Sequence, residues 1–233
     1  MALDKDDVDP VVEPATDKLH RVARAAISSI PGIGGAALEL FSTLIEPPLE
    51  RRKREWMVQV TEAINDLQAN RGIRIEDLQS NEQFFTCLVQ ASQVALRNHQ
   101  SEKLEALKNA VCNAALPTAP NDALQQMFLN FIDVCTVWHI RFLNLFQDPK
   151  AWAAKAGHQF PGMSVGGRSH VLESAYPELK GNREFYDQIW RDLAQRGFVR
   201  VDSLHGTQAE SGIFQGCTSG LGDQFIKFVE SVK

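Results

Sequence analysis

The sequence predicts a mainly α protein, a multi-helix bundle followed by a small winged-helix-like α/β module. Three observations predict it. Apolar residues recur at i, i+3, i+4 and i+7 almost without interruption from Asp17 to Phe146. Proline and glycine breakers at Pro31-Gly32, Pro47-Pro48, Gly72 and Pro117/Pro120 cut that pattern into helix-sized pieces. Beyond His170 the period changes to helix, helix, two alternating segments and a closing helix.

The elements follow in order. Residues 1–16 are acidic and lack an apolar run, which reads as a disordered tail and not a signal peptide. Asp17 or Thr16 caps a first helix, LHRVARAAISSI, ended by Pro31-Gly32. A second helix, roughly Gly35–Ile45, stops at Pro47-Pro48. A third runs through Trp56, Val60, Ile64 and Leu67 to Arg71-Gly72. After a short turn at Ile75–Leu78, Ser80 with Gln83 forms a capping-box pattern for a helix with Phe84, Leu88, Ala91, Val94 and Ala95 inward. Another helix spans Glu102–Leu116, and Asn121 caps a last long one, about Asp122–Phe146. That helix is apolar nearly all round, the mark of a central core helix. Asp133, His139 and Arg141 argue against a membrane span there, since ionised groups at the bilayer centre cost several kcal/mol.

The domain reading is therefore a bundle over 17–147, a Pro/Gly-rich linker over 148–168, and the winged-helix-like module over 169–233. Within the module, Asn182 caps a helix with Phe185, Ile189 and Leu193 inward and Trp190 as a further inward candidate, and Gly197 ends it. Phe198–Leu204 and Gly212–Thr218 alternate as two strands, and Leu221–Val229 is the closing helix.

Catalytic and cofactor signatures are absent from the pattern. The six histidines have no HxxxH or HExxH spacing, and Cys87, Cys112, Cys135 and Cys217 lie 25, 23 and 82 residues apart, which is no metal or CxxC arrangement. The glycine series PGIGG and SVGGRS lack the context of a phosphate loop. The expectation is a protein without catalytic residues, metal or cofactor, whose free cysteines suit a reducing cytoplasm. A polar stripe on the long helix, Asn130, Asp133, Arg141 and Asn144, leaves an enzyme pocket around Asp133 and Arg141 as a further reading.

Charge separates the remaining classes. The chain carries a net charge of -5, and residues 170–233 hold seven Lys/Arg against nine Asp/Glu. A DNA-binding regulator using Arg183, Arg191 and Arg196 lacks the net positive surface that phosphate contacts need, so nucleic acid is disfavoured as a partner. The concentrated cations are Arg51, Arg52, Lys53 and Arg54, directly after the apolar run of Ile27, Ile30, Ile33, Leu38, Phe41 and Leu44. That order suits a helical hairpin that packs on the bundle and can engage a protein partner or an anionic membrane surface, peripheral at the inner membrane.

Three stretches carry a resemblance: SIPGIGGAALELF leading to PPLERRKREW; FFTCLVQASQ and KLEALKNAV followed by MFLNFIDVCTVWHIRFL; and the ending TSGLGDQFIKFV. In them the chain resembles the abortive-infection alpha-type family of bacterial proteins linked to phage defence, over most of Asp17–Val229. The resemblance implies an accessory or effector protein of the bacterial cytoplasm acting at the membrane, and it supplies no catalytic residue.

Overall fold

The structure, a computed structural model, describes residues 35–162 and 164–232, with the side chains of 35–42 and 45–47 outside the described set. The acidic tail, the first expected helix and Ile27, Ile30 and Ile33 therefore lie outside the described residues. Among those described, the chain is mainly α, with eleven α-helices and one two-stranded antiparallel sheet.

The first half is built from α1 (Gly35–Arg71), α2 (Ile75–Gln79), α3 (Glu82–Arg97) and α4 (Ser101–Ala114). Trp56, Val60, Ile64 and Leu67 are the buried stripe of α1, as their fourfold spacing predicts. The Trp56 indole N–H donates to Ser92 Oγ at 2.8 Å and Arg52 donates to the Leu96 carbonyl at 3.5 Å, so α1 runs antiparallel to α3. Gly72, at φ 65°, lets the chain turn where a side chain would be strained. Two expectations are corrected here. Pro47-Pro48 does not stop a helix, because α1 continues through it: proline's fixed φ is compatible with a helix, at the cost of two amide donors and of crowding against the preceding turn. The cap of α3 is Asn81, whose Oδ1 accepts from Phe84 N at 3.0 Å, while Ser80 donates backwards to carbonyls of α2.

The long central helix is also corrected. It is two helices, α5 (Asp122–Val134) and α6 (Val137–Gln147), with Cys135 and Thr136 extended between them. Asn121 caps α5 as expected, accepting from Leu124 N at 3.0 Å. At the break, Lys103 of α4 is 3% exposed, and its ammonium donates to the carbonyls of Asp133 (3.1 Å) and Cys135 (3.0 Å). A cation is favourable at those carbonyls because the C-terminal end of a helix carries partial negative charge.

The stretch read as a linker is structured. Asp148 caps α7 (Pro149–Ala156) by accepting from Lys150 N and Ala151 N, and Trp152 and Phe160 pack with Tyr176 and Phe214. Then come β1 (Val165–Gly166), α8 (Arg168–Ala175), a 3-10 turn at Pro177–Leu179, α9 (Arg183–Gln195), β2 (Gln208–Ala209), α10 (Glu210–Ile213) and α11 (Gly220–Val229). The predicted hairpin is not formed. Phe198–Leu204 and Gly212–Thr218 form one isolated bridge, Val199–Thr218, beside which Arg200 donates to Cys217 O and Gly216 O, and the sheet instead pairs Val165 with Ala209 and Gly166 with Gln208. On α9 the inward aromatics are Tyr186 and Trp190, each 2% exposed, and Phe185 points out at 42%.

The buried residues of both halves form one hydrophobic core. Phe128 and Phe131 of α5 meet Phe198 and Phe225 with ring centroids 4.5–6.4 Å apart. The loop before α11 reaches the first half at backbone distance: Cys217 N donates to the Phe146 carbonyl at 2.9 Å, and a Cβ on Gly216 would sit 2.1 Å from the Gln147 carbonyl oxygen. Helix α4 holds the far end of α11 through Asn109, which donates to Val229 O at 3.0 Å, and Asn113, which donates to Phe228 O and Glu230 O.

Candidate functional site

The cationic quartet stands where α1 reaches the end of α3. Trp56 is buried and Arg52 and Lys53 are half-buried, whereas Arg51 and Arg54 are exposed. Arg52 meets Leu96, one residue before α3 ends, so α1 on the N-terminal side of the quartet runs past the end of α3. Leu44 lies on that stretch, 60% exposed, and stands seven residues before Arg51, on the same helical face. Leu38 and Phe41 belong to the same helix. Arg51 pairs with Glu55 at 3.8 Å, with both side chains open to solvent, a pairing worth well under ~1 kcal/mol that leaves the cation available.

The polar stripe of the predicted long helix is dispersed by the break. Asp133 accepts from Arg97 of α3 at 2.9 Å, and Asn130 accepts from Gln90, so both face α3. Arg141 turns the other way, donating through Nε and Nη2 to Glu102 Oε1 of α4 while its guanidinium covers the Trp138 ring at 4.8 Å. The hydrogen bond from Arg141 holds the Glu102 carboxyl below its ordinary range, against the opposing effect of burial. Arg141 and Glu102 line an open cleft of about 730 Å³ with Glu105, Asn144, Trp152 and Glu230. Asp133 takes no part in it, so the two residues do not form one pocket.

The three arginines of the would-be recognition helix are occupied on that helix. Arg183 pairs with Asp187 at 3.3 Å, Arg191 with Gln188 at 2.5 Å, and Arg196 with Asp192 at 3.0 Å. Arg196 also lies over the Phe131 ring at 5.3 Å.

The break between α5 and α6 brings together a group that spacing alone did not reveal. Thr136 precedes α6, and His139 stands at the third helical position, where a capping box ordinarily has Glu or Gln. Thr136 N donates to His139 Nδ1 at 3.0 Å, Thr136 Oγ1 lies 3.0 Å from the same nitrogen, and His139 Nε2 meets Asp192 Oδ2 at 3.1 Å. His139 is 5% exposed and packs edge-on against Phe131. Burial pushes its pKa down, with Asp192 opposing. The T-x-x-H string was the available signal. Its meaning depends on Asp192, fifty-three residues away.

The four thiols are buried, and burial raises all of them, to about 12 for Cys87 and Cys135 and about 11 for Cys112 and Cys217, which makes them inert at neutral pH. Among the described residues, no three His, Cys, Asp or Glu side chains gather as a metal site, and no helix is long and apolar enough to cross a membrane. Compared with known protein families, with curated proteins and with solved structures, the chain finds no match.

Proposed function

We propose that the chain is a non-enzymatic bacterial interaction protein whose cationic α1 segment docks on an anionic membrane surface. The observation that carries the reading is the placement of Arg51 and Arg54. They are exposed at the point where α1 passes the end of α3, on the helix that continues to the exposed Leu44. Each basic residue near an anionic leaflet contributes on the order of 1 kcal/mol, so four together give roughly millimolar capture that weakens with salt. Peripheral attachment at the cytoplasmic face of the inner membrane fits this chemistry. A phage-defence setting rests on the resemblance of the SIPGIGG, FFTCLVQ and TSGLGDQF stretches alone.

The winged-helix-like reading of 169–233 keeps its order of helix, helix, bridge and helix as support. Its use as a DNA-binding regulator is weakened by the acidic balance of the module, seven Lys/Arg against nine Asp/Glu over 170–233, with Asp187 and Asp192 beside Arg183 and Arg196.

The test is flotation with phosphatidylglycerol and with phosphatidylcholine vesicles at low and physiological salt. Salt-sensitive flotation with the anionic vesicles, lost in the variant with Arg51, Arg52, Lys53 and Arg54 all changed to Glu, is the expected result. Flotation unchanged by that charge reversal removes the electrostatic mechanism. No flotation in any condition moves the cationic segment to a protein partner.

A further inference from the structure

Pro47-Pro48 divides α1 into two stretches with different surroundings. On its C-terminal side Trp56, Val60, Ile64 and Leu67 are buried, the Trp56 indole donates to Ser92 Oγ and Arg52 reaches the Leu96 carbonyl, so that stretch is fixed to α3. On its N-terminal side Thr43 and Leu44 are exposed, and the helix has passed the end of α3. Neither proline has an amide to donate, so the i→i−4 ladder misses two successive rungs at this point. Glu46 and Pro47 each precede a proline as well, which disfavours their helical conformation. A helix bends most readily where its ladder is interrupted.

The straight helix leaves part of its apolar surface turned away from its cations. Leu38 stands eighteen residues before the buried Trp56, about five full turns, and so lies on the helix line that faces the body. Phe41 and Ile45 stand around the same line, whereas Leu40 and Leu44 stand on the side of Arg51. Arg54, two residues before Trp56 and about 200° round the helix from it, is exposed on the opposite side. A flat anionic surface that meets Arg51 and Arg54 therefore meets only half of the apolar arc while α1 is straight. We propose, resting on the membrane-docking reading, that Pro47-Pro48 is a joint: on docking, Gly35–Glu46 bends against the fixed stretch and turns Leu38, Phe41 and Ile45 toward the surface that the quartet holds. The straight helix is the undocked state. Charge brings the chain to the membrane, and the bend adds apolar burial that salt does not screen.

The test measures the bend in the full chain. Spin labels are placed at Ala36→Cys and Gln59→Cys, the four native thiols being buried and unreactive, and on a straight helix the two positions stand about 35 Å apart. Double electron–electron resonance is recorded with and without phosphatidylglycerol vesicles, and flotation is followed in parallel. On the vesicles the distance should shorten by about 5 Å, as a bend of about 60° requires. Pro47→Ala with Pro48→Ala restores both amides, so the distance should stay at its solution value and binding should weaken at least about 3-fold. A floating protein whose label distance does not change, or an alanine variant that bends as far as the wild type, overturns the joint and leaves the docking reading standing. Absence of flotation in every condition overturns both.

Discussion

Two stretches of this chain reverse the usual relation between breaker residues and helix breaks. Residues 35–71 contain a proline pair and remain one helix, whereas residues 122–147 contain no proline or glycine and form two. In α1 the helix carries the pair beyond the end of α3, at the cost of two amide donors and of crowding against the preceding turn. Between α5 and α6 the break buries Cys135 while Val134 and Thr136 stay exposed, and the carbonyls facing the buried Lys103 would cost about 1–3 kcal/mol each if left free. It exists because Lys103, Thr136 and His139 supply the partners. An interior break is thus decided by which side chains arrive from elsewhere in the fold, and an exposed one is decided by very little.

The largest effect that would break this comparison belongs to Lys103. Lys103→Met keeps the apolar stem and removes the donor from two carbonyls, and it should destabilise the protein by about 3 kcal/mol in urea unfolding. A change under about 0.5 kcal/mol would mean that the break needs no cation. Asn113 serves the end of α11 in the same manner, and Asn113→Ala should cost about 1–2 kcal/mol by the same measurement.

Acidification sharpens the picture from the His139 side. The folded protein holds His139 below its ordinary 6.5, so the unfolded chain binds the extra proton first as pH falls. That contribution to stability is complete above 6.5 and declines as pH drops from there through the folded value. The melting temperature should fall between pH 7 and pH 5, and His139→Gln should flatten that slope. Glu102 acts in a separate window, because its lowered carboxyl stabilises above 4.5 and loses its contribution as pH falls below it. The last effect is local and belongs to the prolines. Replacing Pro47 and Pro48 by Ala, each about 3 kcal/mol more favourable inside a helix, should raise amide protection in the N-terminal part of α1 more than anywhere else in the core, as hydrogen exchange would report.

Much of the helical layout was legible because local rules govern it. The Trp56, Val60, Ile64 and Leu67 stripe, the Asn121 cap and the Gly72 and Gly197 stops each depend on side-chain period or backbone conformation within a few residues. The hairpin expected over 198–218 failed because alternation signals half-burial and not pairing. Phe198 and Leu204 are buried beside α5 and α8 by loop backbone, and the actual sheet uses Val165 and Gln208. Phe185 and Tyr186 exchanged places for a similar reason, since a one-residue rotation of an amphipathic helix is settled by the surface it meets.

The candidate sites divide in the same way. The cationic quartet is a run of adjacent residues, so its existence was visible at once, and only the end of α3 shows which part of α1 stands clear. Asp133 and Arg141 share a face on a straight helix and lose it once the helix breaks. By itself the sequence determined a mainly α chain, the apolar faces of most of its helices, the Asn121 cap, the glycine stops at Gly72 and Gly197 and one concentrated positive charge, because those follow from spacing and local conformation. The tertiary structure alone decided where the core helix divides, how α4 ties off α5 and α11, and that Thr136, His139 and Asp192 meet. Each of these depends on hydrogen bonds between residues tens of positions apart, which no local pattern encodes.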